Sequence, residues 1–131
     1  MSMAQYKEGD ILFDVTVPGS TRERIALFSE ATEDPNPIHV DEAFAKSAGF
    51  PQVIQQGPMT TAHLGVLLMK RVGSGNVKVL DVSFTAPVFP EEALRMTGTV
   101  TKIDGDVTVE LVSQKQDGTV TAKGFALIAG G

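Results

Sequence analysis

Apolar and polar residues change rhythm part-way along this chain. From residue 20 to residue 72 the apolar positions recur at helical spacing between loops. From residue 76 to residue 129 they fall in short runs, rich in Val and Thr, that partly alternate with polar residues. The second half therefore predicts four strands: VKVLDVSFTAPV, ALRMTGTVTKI, VTVELVSQK and TVTAKGFALIA. Asp104-Gly105 and Asp117-Gly118 are hairpin signals between consecutive runs, so an antiparallel meander is expected. One earlier strand, DILFDVTV at residues 10–17, is expected to join the same sheet.

Three helices are expected between that strand and the meander. Ser20 to Glu23 has the spacing of a capping box, in which Ser20 accepts from the Glu23 N–H and the Glu23 side chain reaches back. Ile25, Phe28 and Ala31 then share a face, which predicts a helix from Thr21 to Ala31. Asp41 is placed to cap a short helix holding Ala43, Phe44 and Ala48 and stopped by Gly49. The third helix opens at Gly57-Pro58 and closes at Lys70, Arg71 and Gly73. Its middle leaves little polar surface, the mark of a buried helix. The economical arrangement is α+β: a curved antiparallel sheet of about five strands wrapped around one long central helix. With no internal repeat, linker or low-complexity stretch, residues 1–131 read as a single domain.

Composition narrows the function. A chain of 131 residues buries roughly two-thirds of its unfolded surface without staples. It has no cysteine, which excludes a thiol nucleophile, a thiolate metal site and a disulfide scaffold, and suits a reducing, cytoplasmic location. The opening MSMAQYKEGD has charge and no apolar segment, unlike a secretory signal, and the longest apolar run is too short to span a membrane. A net charge of −5 without like-charge blocks argues against nucleic acid or an anionic membrane as partner. Two histidines offer no metal-ligand cluster, and Gly73-Ser74-Gly75 lacks the lysine and context of a phosphate loop, so no metal or cofactor is expected.

The candidate chemistry lies in EDPNPIHVD, residues 33–41. A carboxylate and an imidazole, Asp34 and His39, can together hold a water and move protons both ways near neutral pH. Pro35 and Pro37 stiffen the path between them and bar it from being helix. Spacing alone leaves the alternative open: a capped interhelical loop in which Asp34 and Asn36 bond backbone amides. Gly57-Pro58 likewise reads two ways. It is an ordinary helix start, or a place where backbone N–H groups at the positive end of the dipole stabilise an oxyanion. His63, inside the apolar helix, reads as a core or interface residue, and Glu91-Glu92 as a solvated turn.

TEDPNPIHVDEAFAKSAGFPQVIQQGPMT, residues 32–60, resembles the signature of the MaoC-like dehydratases, the (R)-specific enoyl-CoA hydratase family, whose pattern runs Gly-Asp-x-Asn-Pro-aliphatic-His. EGDIL and VSFTAPVF resemble that family's opening strand and the strand after its central helix. The resemblance implies the hot dog fold and an acyl-thioester tunnel near the interface of a homodimer, a higher homo-oligomer or a pairing with a related hot dog subunit. It implies Asp34 and His39 as the catalytic, water-binding pair and Asn36 as support for loop and substrate. Gly57 would supply the backbone N–H that holds the thioester oxygen. The implied activity is a hydro-lyase interconverting trans-2-enoyl-CoA and (R)-3-hydroxyacyl-CoA by syn addition of water. No cofactor is implied beyond the coenzyme A of the substrate. Three departures stand out: Glu33 replaces the pattern's glycine, Gln56 replaces a histidine before Gly57, and FPEEA replaces a Pro-Gly-Asp turn. They motivate a rival reading as an acyl-CoA-binding or half-active subunit of a heteromeric enzyme. A hot dog thioesterase needs a carboxylate, commonly from the central helix, and none stands between Met59 and Arg71. Lys70, Arg71 and Lys78 are candidates for the coenzyme phosphates.

Overall fold

Ile11–Val17 (β1), Val77–Phe84 (β2), Leu94–Asp104 (β3), Asp106–Lys115 (β4) and Val120–Ile128 (β5) form one antiparallel sheet in the order β1-β3-β4-β5-β2. The computed structural model describes residues 6–34 and 36–130. The strand at residues 10–17 and the two Asp-Gly hairpins are where the sequence predicts them, with Asp104 facing Asp106 across the first turn. The four-strand meander needs correcting. Only β3, β4 and β5 run consecutively, whereas β2 crosses to the far side of β5 and β1 takes the place beside β3. The cause is the connection: residues 85–93 carry Pro87 and Pro90 and no two-residue turn signal. Thr85 N–H instead bonds the Thr121 carbonyl at 2.9 Å, steering the link away from a hairpin.

All four strand pairings carry a register irregularity. Each such bulge bends its strand and adds twist, which lets the sheet curl. The curl encloses one face of α3, Gly57–Val72: Leu64 and Leu68 are fully buried among Met96, Val109, Leu111 and Ile128. Burying such a side chain contributes roughly 1.5–3 kcal/mol. Burial alternates strictly along the middle of β4, as a strand with one core face requires. This is the hot dog arrangement that the resemblance implies.

The wholly buried helix also needs correcting. Val66 is 46% and Met69 37% exposed, so α3 keeps an open apolar face. That face borders β2, the outer strand, which buries none of its residues fully. The other helices are α1 (Arg22–Ala31) and α2 (Glu42–Ser47), the latter capped by Asp41 Oδ1 on the Phe44 N–H as its sequence predicts. The cap of α1 is shifted by one residue. Thr21 Oγ1 accepts from Arg24 N–H, while Ser20 is buried with its hydroxyl turned to the Met59 sulfur, so no capping box forms. No helix among the described residues is long and apolar enough to cross a membrane.

Candidate active site

The end of α1 places Asp34. Glu33 N–H bonds the Glu30 carbonyl at 3.2 Å and Asp34 N–H bonds the Ser29 carbonyl at 2.8 Å. This double closure terminates a helix through one left-handed residue, normally glycine. Here Glu33 takes that conformation, at φ +54°. The position where the family pattern has glycine is thus a backbone requirement, met by a residue with a side chain.

The next turn orients the carboxylate. Asp34 Oδ1 accepts the Asn36 N–H at 3.1 Å, and Asn36 Oδ1 accepts the Ile38 N–H at 3.1 Å. Pro37 then opens a 3₁₀ turn, Pro37–His39, so this stretch is not free of helical backbone as the prolines suggest. Proline suits the first position of such a turn, where its missing N–H is no loss. The capped-loop alternative is therefore realised at Oδ1, while Oδ2 turns elsewhere: it lies 3.6 Å from His39 Nε2. At that separation there is no direct hydrogen bond. The imidazole is anchored from its other side, with Nδ1 2.7 Å from the Ile54 carbonyl. A carbonyl only accepts, so Nδ1 carries a hydrogen, and in the tautomer this selects Nε2 is the acceptor that faces Asp34. The His39 side chain is 11% exposed and that of Asp34 35%.

Ile54 is itself held in place. Its N–H bonds the Ile38 carbonyl, and the neighbouring Val53 N–H bonds Glu42 Oε2 at 3.2 Å. That bond, helped by Arg22 at 3.0 Å, holds the Glu42 carboxyl below the usual glutamate range.

His39 and Gly57 line one cavity of about 390 Å3, together with Phe50, Phe84, Val88 and Thr60. Gly57 N–H has no hydrogen-bond partner among the described residues, and Pro58 has no N–H to offer. The start of α3 thus presents the Gly57 N–H as a free donor at the positive end of the helix. A Cβ on Gly57 would lie 2.5 Å from the Phe84 ring, so glycine leaves room for the ring against this turn of the backbone. Asp34 and Asn36 do not border this cavity; Asp34 meets it through His39. Gln55, bonded to Thr60 Oγ1 at 2.9 Å, and Thr121 also line it, and the sequence singles out neither. Nor does it point to Phe84 and Val88, which reach the site only through the β2 crossover.

The remaining candidates lie elsewhere. His63 is half-buried outside the cavity, its Nδ1 without a partner among the described residues. Desolvation, then the Arg24 charge, holds its pKa below 6.5. Lys78 pairs with Asp106 at 2.7 Å, and Lys70 and Arg71 sit about 20 Å along α3 from Gly57, at 1.5 Å per residue.

The sequence pattern described as MaoC like domain matches residues 6–123. The chain belongs to the MaoC-like dehydratases. This MaoC-like domain is 39% identical over 85 residues to 3-hydroxyacyl-thioester dehydratase Y of Mycobacterium tuberculosis, covering 62% of the chain and 29% of that protein. It therefore spans less than a third of that relative's length. It is 28% identical over 109 residues to the (R)-specific enoyl-CoA hydratase of Aeromonas caviae, covering 79% of the chain and 81% of that protein. The solved structure of the (R)-hydratase from A. caviae involved in PHA biosynthesis superposes with a TM-score of 0.84 at 24% identity, over 95% of this chain and 96% of that one. The M. tuberculosis and A. caviae relatives are thus a dehydratase and a hydratase.

Proposed function

We propose that the protein is a hydro-lyase that interconverts a trans-2-enoyl-CoA and its (R)-3-hydroxyacyl-CoA. The observation that carries this reading is the facing pair of acceptors, Asp34 Oδ2 and His39 Nε2, 3.6 Å apart. An ionised carboxylate and a bare imidazole nitrogen match the two hydrogens of one water molecule. As the water oxygen attacks C3, the pair takes one proton and electron density moves onto the thioester oxygen. The Gly57 N–H stabilises that charge. The stored proton then passes to C2 on the same face, giving syn addition and returning the pair to its starting charge. No electron leaves the substrate, so the step calls for neither a redox group nor a cofactor beyond the coenzyme A of the substrate. Asn36 holds the turn through its Oδ1 on the Ile38 N–H, which leaves its Nδ2 hydrogens to orient substrate.

A homodimer is part of this proposal. Val66, Met69, Val79 and Phe84 leave an apolar face along α3 and the outer strand β2. A second copy pairing there would cover the strand edge and that face together. Phe84 borders both this face and the cavity, which brings the pocket mouth next to the interface.

The test is loss of the conjugated enoyl absorbance when purified protein meets crotonyl-CoA, with the product resolved by chirality. Turnover to the (R)-alcohol is the expected result. Release of free coenzyme A without hydration would refute the reading.

A further inference from the structure

Gln56 stands directly before the proposed oxyanion donor and is 1% exposed. Its Nε2 donates both hydrogens to α1, to the Ile25 carbonyl at 2.7 Å and to Ser29 Oγ at 2.6 Å. The reverse orientation of the amide would set two carbonyl oxygens against each other, so the chemistry of the partners assigns the nitrogen. Gln56 Oε1 has no partner among the described residues. A bare buried amide oxygen is destabilising, because its lost hydration is not replaced. An apolar side chain would avoid that cost, but would leave Ile25 and Ser29 without their donor.

Ser29 is also the residue whose carbonyl accepts the Asp34 N–H at 2.8 Å. One side chain therefore joins the helix start that carries Gly57 to the helix end that carries Asp34. These two ends of the site are 23 residues apart in sequence, and Glu33, between Ser29 and Asp34, holds the left-handed conformation that closes α1.

We propose that Gln56 is a positioning residue that sets the register between the Asp34 carboxylate and the Gly57 N–H, acting through Ser29. This rests on the hydro-lyase reading above. A water held by Asp34 and His39 reaches C3 only if the thioester oxygen sits on Gly57 at the same time. Misplacing one end against the other removes the reacting geometry without removing a reacting group.

Two substitutions test it. Gln56→Glu keeps the size of the side chain and replaces the donor with a carboxylate oxygen, while Ser29→Ala removes one of the two bonds. On crotonyl-CoA, kcat is expected to fall roughly 10- to 100-fold in the first and less in the second, with KM changed by less than about threefold. In an Asp34→Asn background the same substitutions should lower kcat by less than about threefold, because register has nothing left to align. Hydrogen exchange at the Asp34 amide should quicken selectively in both. Equal losses with and without Asp34, or unchanged Asp34 exchange, would overturn the proposal. If Gln56→Glu does not fold, Ser29→Ala carries both readouts. A wild-type protein that hydrates nothing refutes the hydro-lyase reading, and the Asp34 exchange rates still decide whether the clasp exists.

Discussion

Glu33 offers a prediction that can be worked from backbone geometry alone. It sits at φ +54°, closing α1 through the bonds from Glu33 N–H and Asp34 N–H. Its side chain is exposed and makes no ion pair among the described residues, so little is lost by removing it. A side chain in the left-handed region costs roughly 1–2 kcal/mol. Glycine removes that cost but gives the unfolded chain extra freedom worth about 0.5–1 kcal/mol. Glu33→Gly should therefore stabilise the fold by about 0.5–1 kcal/mol. With an unfolding entropy of about 2.1 cal/mol/K per residue over 131 residues, that is a rise in melting temperature of about 2–4 °C. Calorimetry at fixed protomer concentration measures it, since association would otherwise shift the transition. A variant that melts at or below the wild-type temperature refutes the reasoning. It would mean that the Glu33 side chain and the added freedom of the unfolded glycine chain together offset at least what the left-handed conformation costs.

Three further outcomes are expected. Asp34→Asn and His39→Ala should each lower kcat on crotonyl-CoA by about 10²–10⁴-fold with near-UV circular dichroism unchanged; wild-type rates in both would remove the pair from the chemistry. His63 is held below its ordinary value of 6.5 in the fold, so the unfolded chain takes up a proton first as pH falls. Its stabilising contribution is therefore full above pH 6.5 and lost as pH drops through the depressed value. Urea midpoints between pH 8 and pH 5 should decline in the wild type and decline less in His63→Asn; identical slopes would show that another group governs the region. Val66, 46% exposed on the open face of α3, should be the place where a charge separates two copies. Val66→Glu is expected to sediment as a monomer where the wild type sediments as a dimer, and a variant that stays dimeric would move the interface elsewhere.

What was legible in the sequence was carried by short-range chemistry. Asp41 before α2, Gly57-Pro58 before α3 and the Asp-Gly pairs flanking β4 each act within a few residues, so their letters suffice. The approach of Asp34 to His39 belongs to the same class, because a helix end, an Asx turn and a proline-started 3₁₀ turn bring them together over six residues. Even there the sequence misplaced the α1 cap, since whether Ser20 or Thr21 caps depends on where α3 puts Met59.

Only the tertiary structure decided the rest. Strand order followed from how residues 85–93 cross the sheet, and that path set Phe84, at the end of β2, and Val88 into the lining of the cavity beside Gly57. The apolar pattern of α3 announced burial, but could not say that one face lies against the sheet while the other stays open beside β2. The tie from Gln56 to Ile25 and Ser29 has no periodic signature at all. Hydrophobic rhythm and turn chemistry encode what neighbours along the chain must do. Contacts between segments dozens of residues apart depend on the path of every element between them, and no local pattern of residues carries that information.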